Sequence, residues 1–410
     1  MAAKFRPTNV FRGRGLLARW LHSQSAHNLR AENSSKLSAY VWGAGDGGQL
    51  GTSTDAVNTT PQHFPVHTKV SNIGCGHGFT AVSEASNCKL WVSGLNVFSL
   101  FGGELPWSQD AASIPRSIDL PVFCEKTRIT QIACGRSHAL VLTDSEGVFV
   151  IGGNSQGQCG FGGVTDKVKS FQHLPLPDAT GAIVKVVCGM DHSLLLSCDG
   201  KVFSCGWGAD GQTGLGFFDD AVKVSQLEGE LSGVKIKDIS SAVDCCLAVS
   251  EDGDVFSWGN SEYAQIGLMS DEKQIATPRR APLLEGLGKV SKVAAAGSFS
   301  VMLLEDGSMY SWGYGVLGHG SDVTFSKEPI RIQAVDDVSE RITELYCGLD
   351  HAAFTTESGK LFVWGRGGFG RLGLGSDEDQ WSPKQVELHG AVKDVSCGVD
   401  HMGVIVQESS

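Results

Sequence analysis

Residues 188–216 read CGMDHSLLLSCDGKVFSCGWGADGQTGLG, and the order of the parts of this stretch decides the fold. An apolar-rich run, Ser193–Ser197, is followed by the dipeptide Asp199-Gly200 and by a second run, Val202–Cys205. Two such runs around an Asp-Gly turn are a strong signal for a β-hairpin. The hairpin lies between a Cys-Gly-x-x-His segment, Cys188–His192, and a glycine-rich segment. The stretch therefore predicts two paired strands with a characteristic segment at each end.

Both end segments recur seven times, which makes the chain a repeat protein. The first set comprises Cys75-Gly76, Cys134–His138, Cys188–His192, Ser241–Cys245, Ala296–Phe299, Cys347–His351 and Cys397–His401. The second set comprises Trp42-Gly43, Ser93-Gly94, Ile151-Gly152, Cys205-Gly206, Trp258-Gly259, Trp312-Gly313 and Trp364-Gly365. Glycine-to-glycine spacing is 16 to 18 residues across the hairpin and 33 to 41 residues on the return. This period fits a four-stranded blade, so the sequence predicts an all-β fold, a seven-bladed β-propeller.

The two ends of the chain predict how the ring closes. Ala39–Gly51 contains a Trp-Gly strand with no Cys-Gly segment before it, and Cys397–Val406 contains a Cys-Gly segment with no Trp-Gly strand after it. We expect one blade to be closed by these N- and C-terminal strands, because pairing them removes two exposed sheet edges. The predicted domains are a leader, residues 1–38, and the propeller, residues 39–410.

Charge is distributed unevenly between the leader and the propeller. Residues 1–31 contain six basic and no acidic residues, although the whole chain of 410 residues has a net charge of −12. An arginine-rich, acid-free leader is typical of a mitochondrial transit peptide; the alternative is a basic arm that binds nucleic acid. The acidic propeller is a poor general binder of polyanions, because such binding depends on cations that neutralise phosphates. No apolar stretch approaches the length needed to span a bilayer.

Cysteines and glycine motifs are the first residues that resemble functional chemistry. Five of the twelve cysteines occupy one repeat position, and an intracellular location favours free thiols in strands over disulfides. Gly-x-Gly-x-x-Gly occurs four times, beginning at Gly43, Gly206, Gly313 and Gly365. No copy opens a clear helix, so these glycines are interpreted as turn residues, with a dinucleotide site as the alternative.

The histidines of the repeat offer two further alternatives. His138, His192, His351 and His401 share one position, but Phe79, Cys245 and Phe299 interrupt the ring. Buried histidines that satisfy polar groups within or between blades are therefore favoured over a central metal site. Three of them follow an aspartate, yet no nucleophile is associated with any Asp-His pair. The sequence predicts no catalytic residue, no cofactor and no metal.

The longest connection, between Leu95 and Ala133, is rich in apolar residues. Phe101 and Trp107 are the candidates there for contact with a partner protein. The alternative is that this loop covers the edge of a blade.

The repeat resembles that of the regulator of chromosome condensation family over residues 39–406. The resemblance rests on Cys-Gly-x-x-His, on Asp-Gly and on a glycine-rich pattern that ends in Gly-Gln-x-Gly, at Trp42–Gly51 and Gly206–Gly214. It implies a seven-bladed propeller. Founding members are exchange factors for the GTPase Ran, and others are receptors or ubiquitin-ligase modules, so the fold alone leaves the function open. The receptor and ligase classes predict a cytosolic location and additional domains.

Three segments, Cys205–Gly216, Trp258–Tyr263 and Cys397–Met402, are similar to a mitochondrial, guanine-exchange-factor-like branch of this family. This resemblance implies a non-catalytic scaffold for mitochondrial ribosome biogenesis in the matrix or peripherally on the inner membrane. The implied partners are ribosome-assembly proteins and large-subunit ribosomal RNA, with no small-molecule substrate. The alternative is a guanine-nucleotide exchange factor for a mitochondrial dynamin-like GTPase that supports inner-membrane fusion.

The resemblance also implies a set of partner-binding residues. In the nuclear exchange factors one face of the ring binds the GTPase through residues that include an aspartate of the Asp-His dipeptide. By position alone this role carries over to Asp191, Asp350 or Asp400.

Overall fold

The computed structural model describes residues 36–53, 56–96, 100, 111–178, 180–268, 270–284, 286–335 and 338–408. Within these residues 28 β-strands form seven four-stranded sheets. Each sheet is one blade, whose strands are called a, b, c and d from the central channel outward. The prediction of an all-β, seven-bladed propeller is confirmed.

The blades follow one another along the chain, and their strands in the order a to d have the following bounds. Blade 1 contains β3 (Val70–Cys75), β4 (Phe79–Glu84), β5 (Lys89–Leu95) and β6 (Ala111–Asp119). Blade 2 contains β7 (Ile129–Cys134), β8 (His138–Thr143), β9 (Val148–Asn154) and β10 (Thr165–His173). Blade 3 contains β11 (Ile183–Cys188), β12 (His192–Ser197), β13 (Val202–Gly206) and β14 (Ala221–Gln226). Blade 4 contains β15 (Ile236–Ser241), β16 (Cys245–Ser250), β17 (Val255–Asn260) and β18 (Gln274–Arg280).

The remaining three blades repeat the arrangement. Blade 5 contains β19 (Val290–Ala295), β20 (Phe299–Leu304), β21 (Met309–Tyr314) and β22 (Phe325–Arg331). Blade 6 contains β23 (Ile342–Cys347), β24 (His351–Thr356), β25 (Leu361–Gly365) and β26 (Gln380–Gln385). Blade 7 contains β27 (Gly390–Cys397), β28 (His401–Glu408), β1 (Leu37–Gly43) and β2 (Asn58–His63). Short 3-10 helices span Gly229–Leu231, Pro282–Leu284, Gln333–Val335 and Gly368–Gly370. No helix in the described part of the chain is long and apolar enough to cross a membrane.

Blade 7 joins the two ends of the chain. β1 pairs antiparallel with β28, from Leu37 opposite Gln407 to Gly43 opposite His401. The predicted closure by N- and C-terminal strands is therefore confirmed. The predicted boundary at residue 38 and the transit-peptide assignment stay predictions, because residues 1–35 lie outside the described residues.

One repeat differs in register from the sequence alignment. β19 ends at Ala295, so Ala296 rather than Gly297 occupies the glycine position of the Cys-Gly segment in blade 5. The distance from Gly297 to Gly313 is 16 residues, whereas the distance from Ala296 to Gly313 is 17 residues, as in most other blades. Blade 5 therefore differs from most other blades in the identity of the residue at this position, and its backbone spacing is the same.

The Trp-Gly glycine joins the two loops at one end of each blade. Gly206 has a φ of +111°, and a Cβ on it would lie 2.5 Å from the carbonyl oxygen of Asp191. The N–H of Trp207 donates to that same oxygen at 2.9 Å. A side chain at Gly206 would break this contact, which explains the glycine in physical terms.

The tryptophans of the repeat fill the space between blades. Trp42, Trp258, Trp312 and Trp364 are fully buried. The indole N–H of Trp258 donates to the carbonyl of Gln212 in the preceding blade at 3.0 Å, and Trp312 does the same to Gln265 at 2.8 Å. Buried indoles with a satisfied N–H hold adjacent blades together.

Candidate functional site

The candidate site lies on the end of the ring that carries the a–b and c–d loops, called here the loop face. In every blade the residue after the Trp-Gly glycine donates its N–H to the a–b loop, as Arg366 does to Asp350 at 2.9 Å. Among the described residues, the c–d loops of five blades also donate a main-chain hydrogen bond to strand d of the next blade, as Gly216 does to Ala276. Within the described residues, these hydrogen bonds join the loops of most blades to the following blade around the channel.

Asp191 lies on this face but is committed to the neighbouring blade. Its carboxylate accepts a bidentate pair of hydrogen bonds from Arg136, and only 4% of the Asp191 side chain is exposed. Burial raises the pKa of Asp191, and the Arg136 guanidinium opposes that rise. A partner that approaches the face meets Arg136, which is about half exposed, before it meets Asp191.

Asp400 is also held by an arginine of the preceding blade. Arg371 Nη2 lies 2.8 Å from Asp400 Oδ1, and the arginine donates as well to the carbonyls of Gly368 and Val399. Arg371 is nearly buried, whereas about a third of the Asp400 side chain is exposed. This aspartate both stabilises the seam between blades 6 and 7 and contributes charge to the surface.

Asp350 differs from the other two predicted residues. It is half-buried, and among the described residues its carboxylate has no hydrogen-bond or ion-pair partner. Of the three aspartates predicted from the resemblance, it is the one with a carboxylate free to bind a partner.

The sequence reasoning did not select Asp244, the equivalent residue of blade 4. Its carboxylate accepts a hydrogen bond from Gln212 Nε2 at 3.0 Å. Burial, followed by the nearby carboxylate of Asp210, raises the pKa of Asp244 to about 6. The signal was present in the sequence, because Asp244 stands at the same repeat position as Asp191.

Two of the repeat histidines contact hydroxyl groups of the next blade. His138 Nε2 lies 3.0 Å from Ser193 Oγ, and His401 Nε2 lies 2.9 Å from Thr80 Oγ1, each in the next blade. Burial lowers the pKa of both to about 4, so they are neutral at physiological pH. Because the aspartate beside His401 pairs with Arg371, that Asp-His dipeptide is divided between two separate contacts. Within the described ranges, no three metal-ligating side chains converge.

The cysteines and the glycine motifs occupy strands, turns and loops of the propeller. All twelve cysteines are free, and burial raises the pKa of the five ring thiols, Cys75, Cys134, Cys188, Cys347 and Cys397. The Gly-x-Gly-x-x-Gly motifs form c–d turns, and the only described helix among them is the three-residue Gly368–Gly370. A phosphate site at a helix N-terminus needs a longer helix than that.

Exposed apolar residues are concentrated on the loop face. Of eleven exposed large apolar side chains in the described chain, nine lie in c–d loops or at the strand ends beside them. These are Val57, Leu95, Val164, Phe217, Phe218, Tyr263, Tyr314, Phe325 and Phe369. Phe101 and Trp107, the apolar candidates predicted from the sequence, lie outside the described residues.

Comparison with known proteins agrees with this architecture. A family model described as the RCC1-like domain matches residues 38–404. The mouse "RCC1-like G exchanging factor-like protein" is 39% identical over 399 residues, covering 88% of this chain and 86% of its own length.

Two solved structures extend the comparison. The crystal structure of human WBSCR16 is 37% identical, covers 91% of this chain and 100% of its own, and superposes with a TM-score of 0.85. Yeast Prp20p, at 21% identity with 92% of this chain and 93% of its own covered, has a TM-score of 0.77 and shares the fold. The seven blades and the match over nearly all of them show that the chain belongs to the RCC1-like domain family.

Proposed function

We propose that this chain is a non-catalytic scaffold for mitochondrial ribosome biogenesis that works within a module handling large-subunit ribosomal RNA. The observation that carries the proposal is the concentration of exposed apolar side chains on the loop face. Large exposed apolar areas on a soluble domain mark surfaces that bind other proteins. Aromatic residues are also enriched at protein interfaces.

The proposed location is the mitochondrial matrix or the matrix side of the inner membrane. It is supported by the basic, acid-free composition of residues 1–31. The acidic propeller supports protein partners as the main contacts, because a polyanion would be repelled by most of its surface.

Depletion and rescue test the proposal. Cells depleted of the chain should lose large-subunit ribosomal RNA and mature large subunits in sedimentation profiles, and the wild-type chain should restore both. A loop-face variant, Phe217→Ser with Phe218→Ser, should restore neither, whereas Phe123→Ser should restore both. Phe123 is a suitable control because it is 97% exposed on the opposite face. Normal ribosomal RNA after depletion would exclude the proposal.

Guanine-nucleotide exchange is the second candidate. It is supported by the name of the mouse relative and by the unpaired carboxylate of Asp350 on the loop face. Such a protein accelerates release by binding the nucleotide-free GTPase better than the loaded one. The purified chain should then speed the release of fluorescent GDP from a mitochondrial GTPase at least tenfold, and Asp350→Ala should remove most of that effect. Unchanged release across a panel of mitochondrial GTPases would argue against exchange.

A further inference from the structure

We infer that blades 3 to 6 of the loop face bind a basic polypeptide segment of a partner protein that carries apolar side chains between its cations. The inference rests on the proposed scaffold function and specifies which partner chemistry that surface takes. It concerns the aromatic sector, defined as Phe217, Phe218, Tyr263, Tyr314, Phe325 and Phe369.

The aromatic sector spans four consecutive blades and is well exposed. Between 41% and 52% of each of its side chains is open to solvent. Tyr263 of blade 4 and Tyr314 of blade 5 stack with ring centroids 5.3 Å apart, so these two rings present one joined surface across a blade boundary. Aromatic side chains are enriched at protein interfaces and give large contact area there.

The exposed Phe369 has a strained backbone conformation. Its φ is +60°, a conformation that bulky residues seldom adopt. The adjacent Arg371 is fixed to two carbonyls and to Asp400, and its guanidinium carbon lies 5.9 Å from the centre of the Phe369 ring. An exposed aromatic held in a strained conformation by a buried network indicates a residue placed for contact with a partner.

Unpaired carboxylates lie in the same c–d loops as several of these rings. Among the described residues Asp219, Glu262, Asp377 and Glu378 are exposed and have no ion-pair partner. Both arginines of the same loops are already paired, Arg366 with Asp379 and Arg371 with Asp400. Lys273 donates to the main-chain carbonyl of Glu262. Free negative charge beside aromatic faces selects arginine and lysine, through ion pairs and cation–π contacts.

The same charges decide between possible occupants. RNA would place phosphates against the free carboxylates, and a second copy of this face would place carboxylate against carboxylate. A basic segment alone satisfies both the carboxylates and the rings.

Peptide binding to the full chain tests the inference. The probe is a fluorescent 14-residue peptide that alternates arginine with leucine and phenylalanine, measured by anisotropy at physiological salt. Its matched controls replace arginine with glutamate or the apolar residues with serine, and a 14-nucleotide single-stranded RNA is measured alongside. We expect saturable binding of the first peptide and at least tenfold weaker binding of the others. Equal binding of the RNA or the acidic peptide, or dimers that form through this face, would overturn the inference.

Two variants separate binding from folding. Phe369→Gly removes the ring and relieves the positive φ, so it should weaken the peptide at least tenfold while thermal stability stays the same or rises. Ala264→Gly is the control, because Ala264 also has a φ of +60° but no aromatic ring, and it should leave binding unchanged. Undiminished binding to Phe369→Gly and to Phe217→Ser with Phe218→Ser would refute the inference.

Proximity labelling in mitochondria distinguishes failure of the inference from failure of the proposed function. If ribosome-assembly proteins are labelled equally by the wild type and by the aromatic-sector variants, the scaffold role stands and the inference is wrong. If the wild type labels a different set of proteins that the variants lose, the proposed function is wrong and the inference stands.

Discussion

Replacing Asp244 with asparagine should stabilise the protein at neutral pH. The Asp244 pKa rises from 3.8 to about 6, so ionising this half-buried carboxyl in the folded state is unfavourable. At about 1.4 kcal/mol per pKa unit, the full penalty is about 3 kcal/mol. This is an upper limit, because a half-buried carboxylate keeps some hydration. Asparagine retains the acceptor for Gln212 and carries no charge.

The sign of the pH dependence follows from linkage. Well below pH 3.8 the carboxyl is protonated in both states and the penalty is absent, whereas well above pH 6 it is ionised in both and the penalty is complete. The advantage of Asp244→Asn over the wild type should therefore grow from less than about 1 kcal/mol near pH 4 to at most about 3 kcal/mol at pH 7.5.

Urea unfolding at several pH values measures this difference. Asp350→Asn is the matched control, because the same repeat position there holds a carboxylate with no described side-chain partner. It should change stability by no more than about 0.5 kcal/mol. An Asp244→Asn variant that is no more stable than the wild type at pH 7.5, or whose advantage is the same at pH 4.5, would refute the reasoning.

Three further predictions concern the ring itself. Gly206→Ala should lower stability by at least about 2 kcal/mol in thermal unfolding, because strain adds to a clash with Asp191, whereas Gly233→Ala, with positive φ but open space, should lose less. Arg136→Met should destabilise the protein more at pH 7.5 than at pH 5, because an Asp191 carboxyl without its arginine partner can be protonated at the lower pH. Equal losses of stability at both pH values would contradict a charged pair. In native thiol titration the exposed Cys124 should react first and the five ring cysteines last; early labelling of Cys188 would show that the channel opens.

The blades were predictable from the sequence because their determinants are local. Asp199-Gly200 and Gly206 fix the ends of a hairpin, and the same letters recur at nearly constant spacing. Blade 5 shows the limit of this approach. Its backbone follows the other blades although Ala296 stands in the glycine position and Gly297 misleads the alignment. The register there is determined by strand pairing and packing of the whole sheet rather than by the identity of neighbouring residues.

The candidate site was only partly predictable, because the partners of its residues come from other blades. Arg136 and Asp191 are 55 residues apart, about one repeat, so a comparison of neighbouring repeats could have paired them. The exposed rings left a weaker signal. Tyr263 and Phe369 both precede the turn residue that aligns with Gly211, but no local pattern shows that a turn residue faces solvent. Exposure of this kind depends on how the loops of adjacent blades pack.

The construction of the loop face separates what holds the ring together from what binds a partner. At the repeat position of Asp350 the main-chain carbonyl accepts the N–H that ties the two loops, and it does so in all seven blades. The side chain has no part in that bond, which is why Gly78, Ser137 and Ser298 serve equally well there. The fold therefore does not require an aspartate side chain at this position. Asp191 and Asp400 form ion pairs with arginines of the preceding blades, and Asp244 accepts a hydrogen bond from Gln212. Only Asp350 has neither commitment among the described residues, so its substitution changes the binding surface with the least effect on the ring.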